Sequence, residues 1–273
     1  MRQNFILKQC ARSSYSKWSE PARRCLAAKS RMSVRSGRGR RKTATIDLDM
    51  GRMRKATRLW SDPRSRIAAA SVIVGQQSES AVFSARLSEW FGRCAPLEVE
   101  IGAGKGAFIV ERARSLPERN FLAVELPTPV VRVLAVRAGR SGLANLRVLQ
   151  ADARSLVGLL LPDNTVSAYH VYYPDPWPKA RHAKHRLFSP HFVASLFRTL
   201  VDCGMVYVAS DVKAWADYIF GALEEGGFVA ESAPVPGVAA AGFGSKYAAQ
   251  GRPLFARAFR KPLTQHLLTP AHD

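Results

Sequence analysis

From Leu97 onward the apolar residues fall into short runs of four to seven, separated by longer stretches in which apolar positions recur at helical spacing. The runs Leu97–Ile101, Phe121–Val124, Leu146–Leu149, Ser167–Tyr173, Met205–Ala209 and Leu254–Phe259 predict strands, bounded by Gly, Pro or Asp. Between them, helices are predicted at about Gly106–Ser115, Pro129–Ala138, Arg154–Leu160, Pro190–Leu200 and Val212–Glu225. Strands alternating with helices of this length cannot pair as hairpins. They predict an α/β chain, a doubly wound, mostly parallel sheet covered on both faces, with its ligand at the carboxyl ends of the strands. Upstream, one further helix is expected at about Ser80–Phe91. The expected organisation is a basic tail over 1–49, a leader over 50–96, a catalytic domain over 97–262 and a short tail over 263–273.

Charge changes this picture at one end. Of 273 residues, 41 are Lys or Arg and 21 are Asp or Glu, a net +20 that favours a polyanionic partner. Residues 1–60 hold 17 of the basic side chains and 3 of the acidic ones, so most of the excess is in the tail. That tail is Arg- and Ser-rich, without sustained periodicity, and is expected to be disordered. Three readings stay open for it: an organelle transit peptide, a flexible RNA-grasping arm, or translation upstream of a start at Met32, Met50 or Met53. No run of 18 apolar residues is present, so no transmembrane helix is expected. Four dispersed cysteines without a CxxC pair predict neither a zinc site nor a disulfide framework, and with that a reducing, cytoplasmic setting.

The chemistry begins at Glu98-Val-Glu-Ile-Gly-Ala-Gly-Lys-Gly106, where a strand ends in a glycine-rich turn and a helix opens. Glycines 102, 104 and 106 allow positive φ and close approach of a ligand to the backbone. Dinucleotides and S-adenosylmethionine both use such a loop. The dinucleotide spacing is GxGxxG, whereas here the third glycine comes one residue early and Glu100 precedes the loop. A carboxylate repels a pyrophosphate and attracts a sulfonium and an ammonium. Glu125 and Asp152 close the next two strands, where acids reach ribose and base, although either could instead cap a helix. These residues resemble the class I S-adenosylmethionine-dependent methyltransferases, which implies a Rossmann-like fold of that type.

The segment after the next strand, Tyr172-Tyr-Pro-Asp-Pro-Trp177, holds a carboxylate between two prolines that restrict the backbone around it. Asp175 is thus aimed from a strand end, beside Trp177, whose flat face can stack on a base. A basic run follows: Lys179, Arg181, Lys184 and Arg186, with His182 and His185. By itself this run reads as a solvated face, and the His pair lacks a third metal ligand. Next to an aimed carboxylate it reads as cations on phosphates beside a base-reading acid.

From about Leu97 to Lys261 the chain resembles the bacterial tRNA (guanine-N7)-methyltransferase family. The resemblance rests on Glu100–Gly106, Phe121–Glu125, Asn145–Val148 with Asp152, Pro174–Trp177 with its basic run, and Ala209-Ser-Asp211. It implies S-adenosylmethionine held by Glu100, Glu125 and Asp152 on the loop of Gly102, Gly104 and Gly106, with Asp175 as catalytic and binding acid. It also implies tRNA contacts at Lys179 and Asp211, and at Ser245-Lys246-Tyr247, where the family carries Thr-Lys-Phe. Ala248 stands where the family has an acid, and Pro178 where many members have His.

Guanine N7 carries a free lone pair, so its methylation requires alignment rather than proton removal. Asp175 is expected to accept from guanine N1–H and its exocyclic amine, on a loop nucleotide accessible to a protein. Two other classes fit the residues: a methyltransferase on a different RNA or small molecule, and a tRNA-binding protein without turnover. No exposed apolar stripe at helical spacing selects a monomer or a dimer.

Overall fold

The computed structural model describes residues 58–60, 76–177, 181, 186–238 and 249–263. Among the described residues eight strands form one sheet: β1 (Arg58–Trp60), β2 (Leu97–Ile101), β3 (Asn120–Glu125), β4 (Leu146–Gln150), β5 (Val166–Tyr172), β6 (Leu200–Ser210), β7 (Val229–Glu231) and β8 (Phe255–Arg260). Their order is β1-β4-β3-β2-β5-β6-β8-β7. The five central strands are parallel, while β1, β8 and β7 add antiparallel pairings at the edges. From β2 the winding runs outward through β3 to β4 and resumes at β5 on the other side of β2, so the strand order reverses there and leaves a crevice at the carboxyl ends of β2 and β5.

Helices cover both faces. They are α1 (Gln76–Phe91), α2 (Ala107–Ser115), α3 (Thr128–Ser141), the single turn α4 (Ala153–Ser155), α5 (Pro190–Thr199) and α6 (Lys213–Glu225). One face buries Phe83, Leu87 and Phe91 of α1, Phe192 and Leu196 of α5, and Trp215, Ile219 and Leu223 of α6. The other buries Phe108, Ile109 and Ala113 of α2 with Val131 and Leu134 of α3. Strand β3 shows the consequence of its period of two, because Leu122 and Val124 enter the first core while Phe121 and Ala123 enter the second. In β2 the same alternation sends Leu97, Val99 and Ile101 to the first core and leaves Glu98 and Glu100 facing the α2 side.

Several expectations are corrected. The helix expected at Arg154–Leu160 is one α-turn followed by a π-turn, Leu156–Leu160, closed by Leu161 N–H on the Leu156 carbonyl at 2.9 Å. The Arg198 guanidinium causes this widening, donating to the carbonyls of Val157 at 2.8 Å, Gly158 at 3.2 Å and Leu161 at 3.1 Å. Strand β6 begins at Leu200 rather than Met205, because Asp202-Cys-Gly204 continues the strand through a residue at φ 60°, Cys203, instead of turning. The end of β8 secures that irregularity, exchanging backbone bonds between Lys261 and both Cys203 and Gly204. Strands β1 and β7, three residues each, carry too short a pattern to be read from sequence, and α1 begins four residues before its expected start. The tail over 1–49 lies outside the described residues.

Candidate active site

The glycine loop joins β2 to α2 with Gly102, Gly104 and Gly106 at φ 74°, 54° and 75°. Gly106 is required by its positive φ, and a Cβ there would also press on Leu134 Cδ1 of α3. Backbone bonds from Gly102 and Ala103 N–H to the Val124 carbonyl tie the loop to β3. Glu125 completes the tie: its carboxylate accepts from Gly104 N–H and Leu126 N–H, both at 2.8 Å.

Glu100 is 3% exposed, and its Oε2 has no hydrogen-bond partner. Burial, then the charge of Glu125, pushes its carboxyl well above the usual range, against a backbone hydrogen bond with Ile109. An orphaned acceptor of this kind is costly unless a ligand supplies the donor. Asp152 follows β4 half-buried and caps α4, accepting from Arg154 N–H at 2.8 Å. The capping and ligand-binding readings of this acid are compatible, because one oxygen suffices for the cap.

Asp175 is exposed, at the carboxyl end of β5 next to the glycine loop of β2 in the sheet order. Its loop is bounded by two non-glycine residues at positive φ, Tyr173 at 52° and Trp177 at 39°. Each costs on the order of 1 to 3 kcal/mol and persists only where the surroundings impose it. Here they do: Tyr173 N–H donates to the Ala209 carbonyl at 2.8 Å, and Trp215 Nε1–H to the Pro174 carbonyl at 3.1 Å. Asp211, closing β6, is paired with Arg252 at 2.6 Å. Arg186, expected among the phosphate contacts, is half-buried, with its guanidinium against Trp215 and Tyr218 and its Nε–H on the Trp177 carbonyl at 3.3 Å. Arg181 is exposed, while Lys179, Lys184, Ser245, Lys246, Tyr247 and Ala248 lie outside the described residues.

Beneath this edge lies a network that the sequence reading missed. Glu98, fully buried, binds Arg112 at 3.0 Å, Arg119 at 2.8 Å and His170 Nε2 at 2.9 Å. His170 Nδ1 lies 3.0 Å from Tyr172 Oη, which donates to the Pro236 carbonyl at 2.9 Å. Burial raises the Glu98 carboxyl, but its hydrogen bond and charge interaction with His170, and those with Arg112, outweigh it and bring the group down to about 2. Alternation in Leu97-Glu-Val-Glu-Ile101 was the available signal, since it puts Glu98 on the same face as Glu100.

A family model described as "Putative methyltransferase" matches residues 94–233, which span the glycine loop, the three acids that close β2, β3 and β4, and the Asp175 loop. The chain belongs to this methyltransferase family. It is similar to the tRNA (guanine-N(7)-)-methyltransferases of Psychromonas ingrahamii, 38% identical over 134 residues, and of Chromohalobacter salexigens, 36% identical over 164 residues. These alignments cover 49% and 60% of this chain, and 55% and 63% of the relatives. A third relative of the same name, from Paenarthrobacter aurescens, is 42% identical over 128 residues, 47% of this chain and 42% of its own. The chain thus spans roughly half the length of the curated relatives it matches. Among solved structures, the 16S rRNA methyltransferase KamB superposes with a TM-score of 0.50 over 64% of this chain and 92% of its own, at 17% identity. At that identity the likeness is one of fold, and it places this chain in the Rossmann-like architecture. Among the described residues no helix is long and apolar enough to cross a membrane, and no group of three or more His, Cys, Asp or Glu could hold a metal.

Proposed function

We propose that the chain transfers a methyl group from S-adenosylmethionine to N7 of a guanosine in the variable loop of tRNA. The observation that carries this reading is the juxtaposition of a buried, unpartnered carboxylate oxygen on the glycine-loop strand with an exposed, proline-fixed carboxylate on the next strand of the sheet. The relatives' name, and the family-model match over 94–233 that runs through the Asp175 loop, support the same assignment.

S-adenosylmethionine fits the donor set and supplies an electrophilic methyl group on a sulfonium. Glu100 offers its unpartnered oxygen to the ammonium of the methionine moiety. Glu125, already fixed by two backbone donors, has lone pairs left for the ribose hydroxyls. Asp152 accepts from the adenine amine with the oxygen not used in its cap. Asp175 holds guanine through N1–H and the exocyclic amine, a donor pair that only guanine presents on that edge. No residue has to remove a proton before attack, so alignment supplies the rate. Lys179, Arg181 and Lys184 neutralise phosphates, while Asp211 and the Ser245-Lys246-Tyr247 segment contact the nucleotide.

Equilibrium binding of S-adenosylmethionine, followed by single-turnover methylation of bulk unmodified tRNA, tests the proposal. Cofactor binding with label recovered at a 7-methylguanosine, mapped by chain cleavage, is the expected result. Cofactor binding with methylation elsewhere would assign the chain to another methyltransferase class. tRNA binding without turnover would make it a binding protein.

A further inference from the structure

Residues 173–177 around Asp175 form neither helix nor strand, and their strained backbone is held by β6 at Tyr173, by α6 at Pro174 and by Arg186 at Trp177. Trp215, 5% exposed, lies in the first turn of α6 and donates its indole N–H to the carbonyl of Pro174, the residue before Asp175. One turn further, Tyr218 stacks on Trp215 with centroids 4.9 Å apart and planes 7° apart, and donates its hydroxyl to the Phe188 carbonyl at 3.0 Å. The guanidinium of Arg186 sits 5.7 Å from the Trp215 ring centroid and 5.3 Å from that of Tyr218. From there its Nε–H reaches the carbonyl of Trp177, two residues after Asp175. The backbone on either side of Asp175 is thus gripped by one aromatic pair and the cation over it. Arg154 fixes the other end of the arrangement, donating to the Arg186 carbonyl at 2.9 Å.

We propose that Trp215 and Arg186 are positioning residues that set where the Asp175 carboxylate stands, Trp215 through Pro174 and Arg186 through Trp177. This inference rests on the guanine reading above. Neither side chain needs to touch the base. Arg186 acts through its planar geometry as well as its charge, since a guanidinium both stacks on aromatic faces and donates along a fixed direction, which an ammonium cannot do.

The test is a double-mutant cycle in single-turnover methylation of unmodified tRNA with enzyme in excess. Trp215→Phe keeps a ring against Tyr218 and removes only the N–H. It is expected to slow methylation by about tenfold, as a small displacement of an aligning group does, with affinities for S-adenosylmethionine and tRNA within about twofold of wild type. In the Asp175→Asn background the same substitution should cost less than about twofold, because the group it positions is already disabled. Arg186→Lys retains the charge, so the salt dependence of tRNA binding should stay unchanged while the rate falls. It carries the test where Trp215→Phe does not fold. Wild-type rates in both variants would overturn the inference, and so would an equal loss in both backgrounds, which marks a merely structural residue. A wild-type protein inert on guanosine in tRNA would overturn the functional reading itself, a result distinguishable from failure of the variants alone.

Discussion

The two halves of the candidate site are held in place by different means. The glycine loop and its acids are fixed by backbone: Gly102 and Ala103 bond β3, Glu125 bonds Gly104, and the side chains involved leave the ends of adjacent parallel strands. The Asp175 loop also leaves a strand end, yet its shape depends on side chains of α6 about 40 residues later and on Arg186. A site for an invariant cofactor can be built into the sheet. The reading of a macromolecular base is instead carried on an exposed loop whose geometry is set by replaceable side chains.

Substitutions can separate the two halves. Asp175→Asn should reduce single-turnover methylation by about 100-fold or more, since the isosteric amide turns donors toward guanine's donors and spoils alignment. S-adenosylmethionine affinity, measured by calorimetry, should be unchanged. A near-wild-type rate at the same guanosine would remove Asp175 from the site.

Glu98→Gln tests the scaffold under both halves. It leaves Arg112 and Arg119 without their buried partner and should cost about 3 kcal/mol in urea unfolding at neutral pH. With its carboxyl brought down to about 2 in the folded state, Glu98 contributes stability fully above the unfolded value of about 4.5. That contribution is lost as pH falls toward 2, so the difference between wild type and variant should shrink over this window. A difference independent of pH would contradict the ion-pair account.

Glu125→Ala should do the converse of Asp175→Asn, weakening S-adenosylmethionine binding by about 1 to 3 kcal/mol while tRNA affinity barely changes. Unaltered cofactor affinity would show that Glu125 serves only to hold Gly104. A smaller effect sharpens the cofactor side further. Because the folded, ligand-free Glu100 carboxyl is raised above its usual value, binding a cation to its ionised form must expel a proton over the interval between the two. Cofactor affinity should therefore fall as pH drops below the raised value, and Glu100→Gln should flatten that dependence. Calorimetry in buffers of different ionisation enthalpy reads the proton release directly. The smallest effect is expected for a chain beginning at Met50, which retains β1 and should bind S-adenosylmethionine as the full chain does.

Sequence by itself determined the order of the longer strands and the helices between them, the glycine loop and the acids at the strand ends. These follow from short-range rules: a period of two or of 3.6, glycine where φ must be positive, proline on either side of Asp175. It also carried Glu98 in plain view, as one of two acids on the same face of β2, but gave no means of knowing that His170, Arg112 and Arg119 would meet it. Only the tertiary structure decided that meeting. The same holds for the π-turn that Arg198 opens at Leu156–Leu160, the extension of β6 through Cys203, and the antiparallel edges β1 and β7. Arg186 shows the difference most clearly. In the sequence it is one cation in a basic run, whereas in the fold its guanidinium is turned onto Trp215 and Tyr218 and holds Trp177. Partners that lie tens of residues away are brought together by the sheet and its helices, and no local pattern encodes the direction in which a long side chain will turn to reach them.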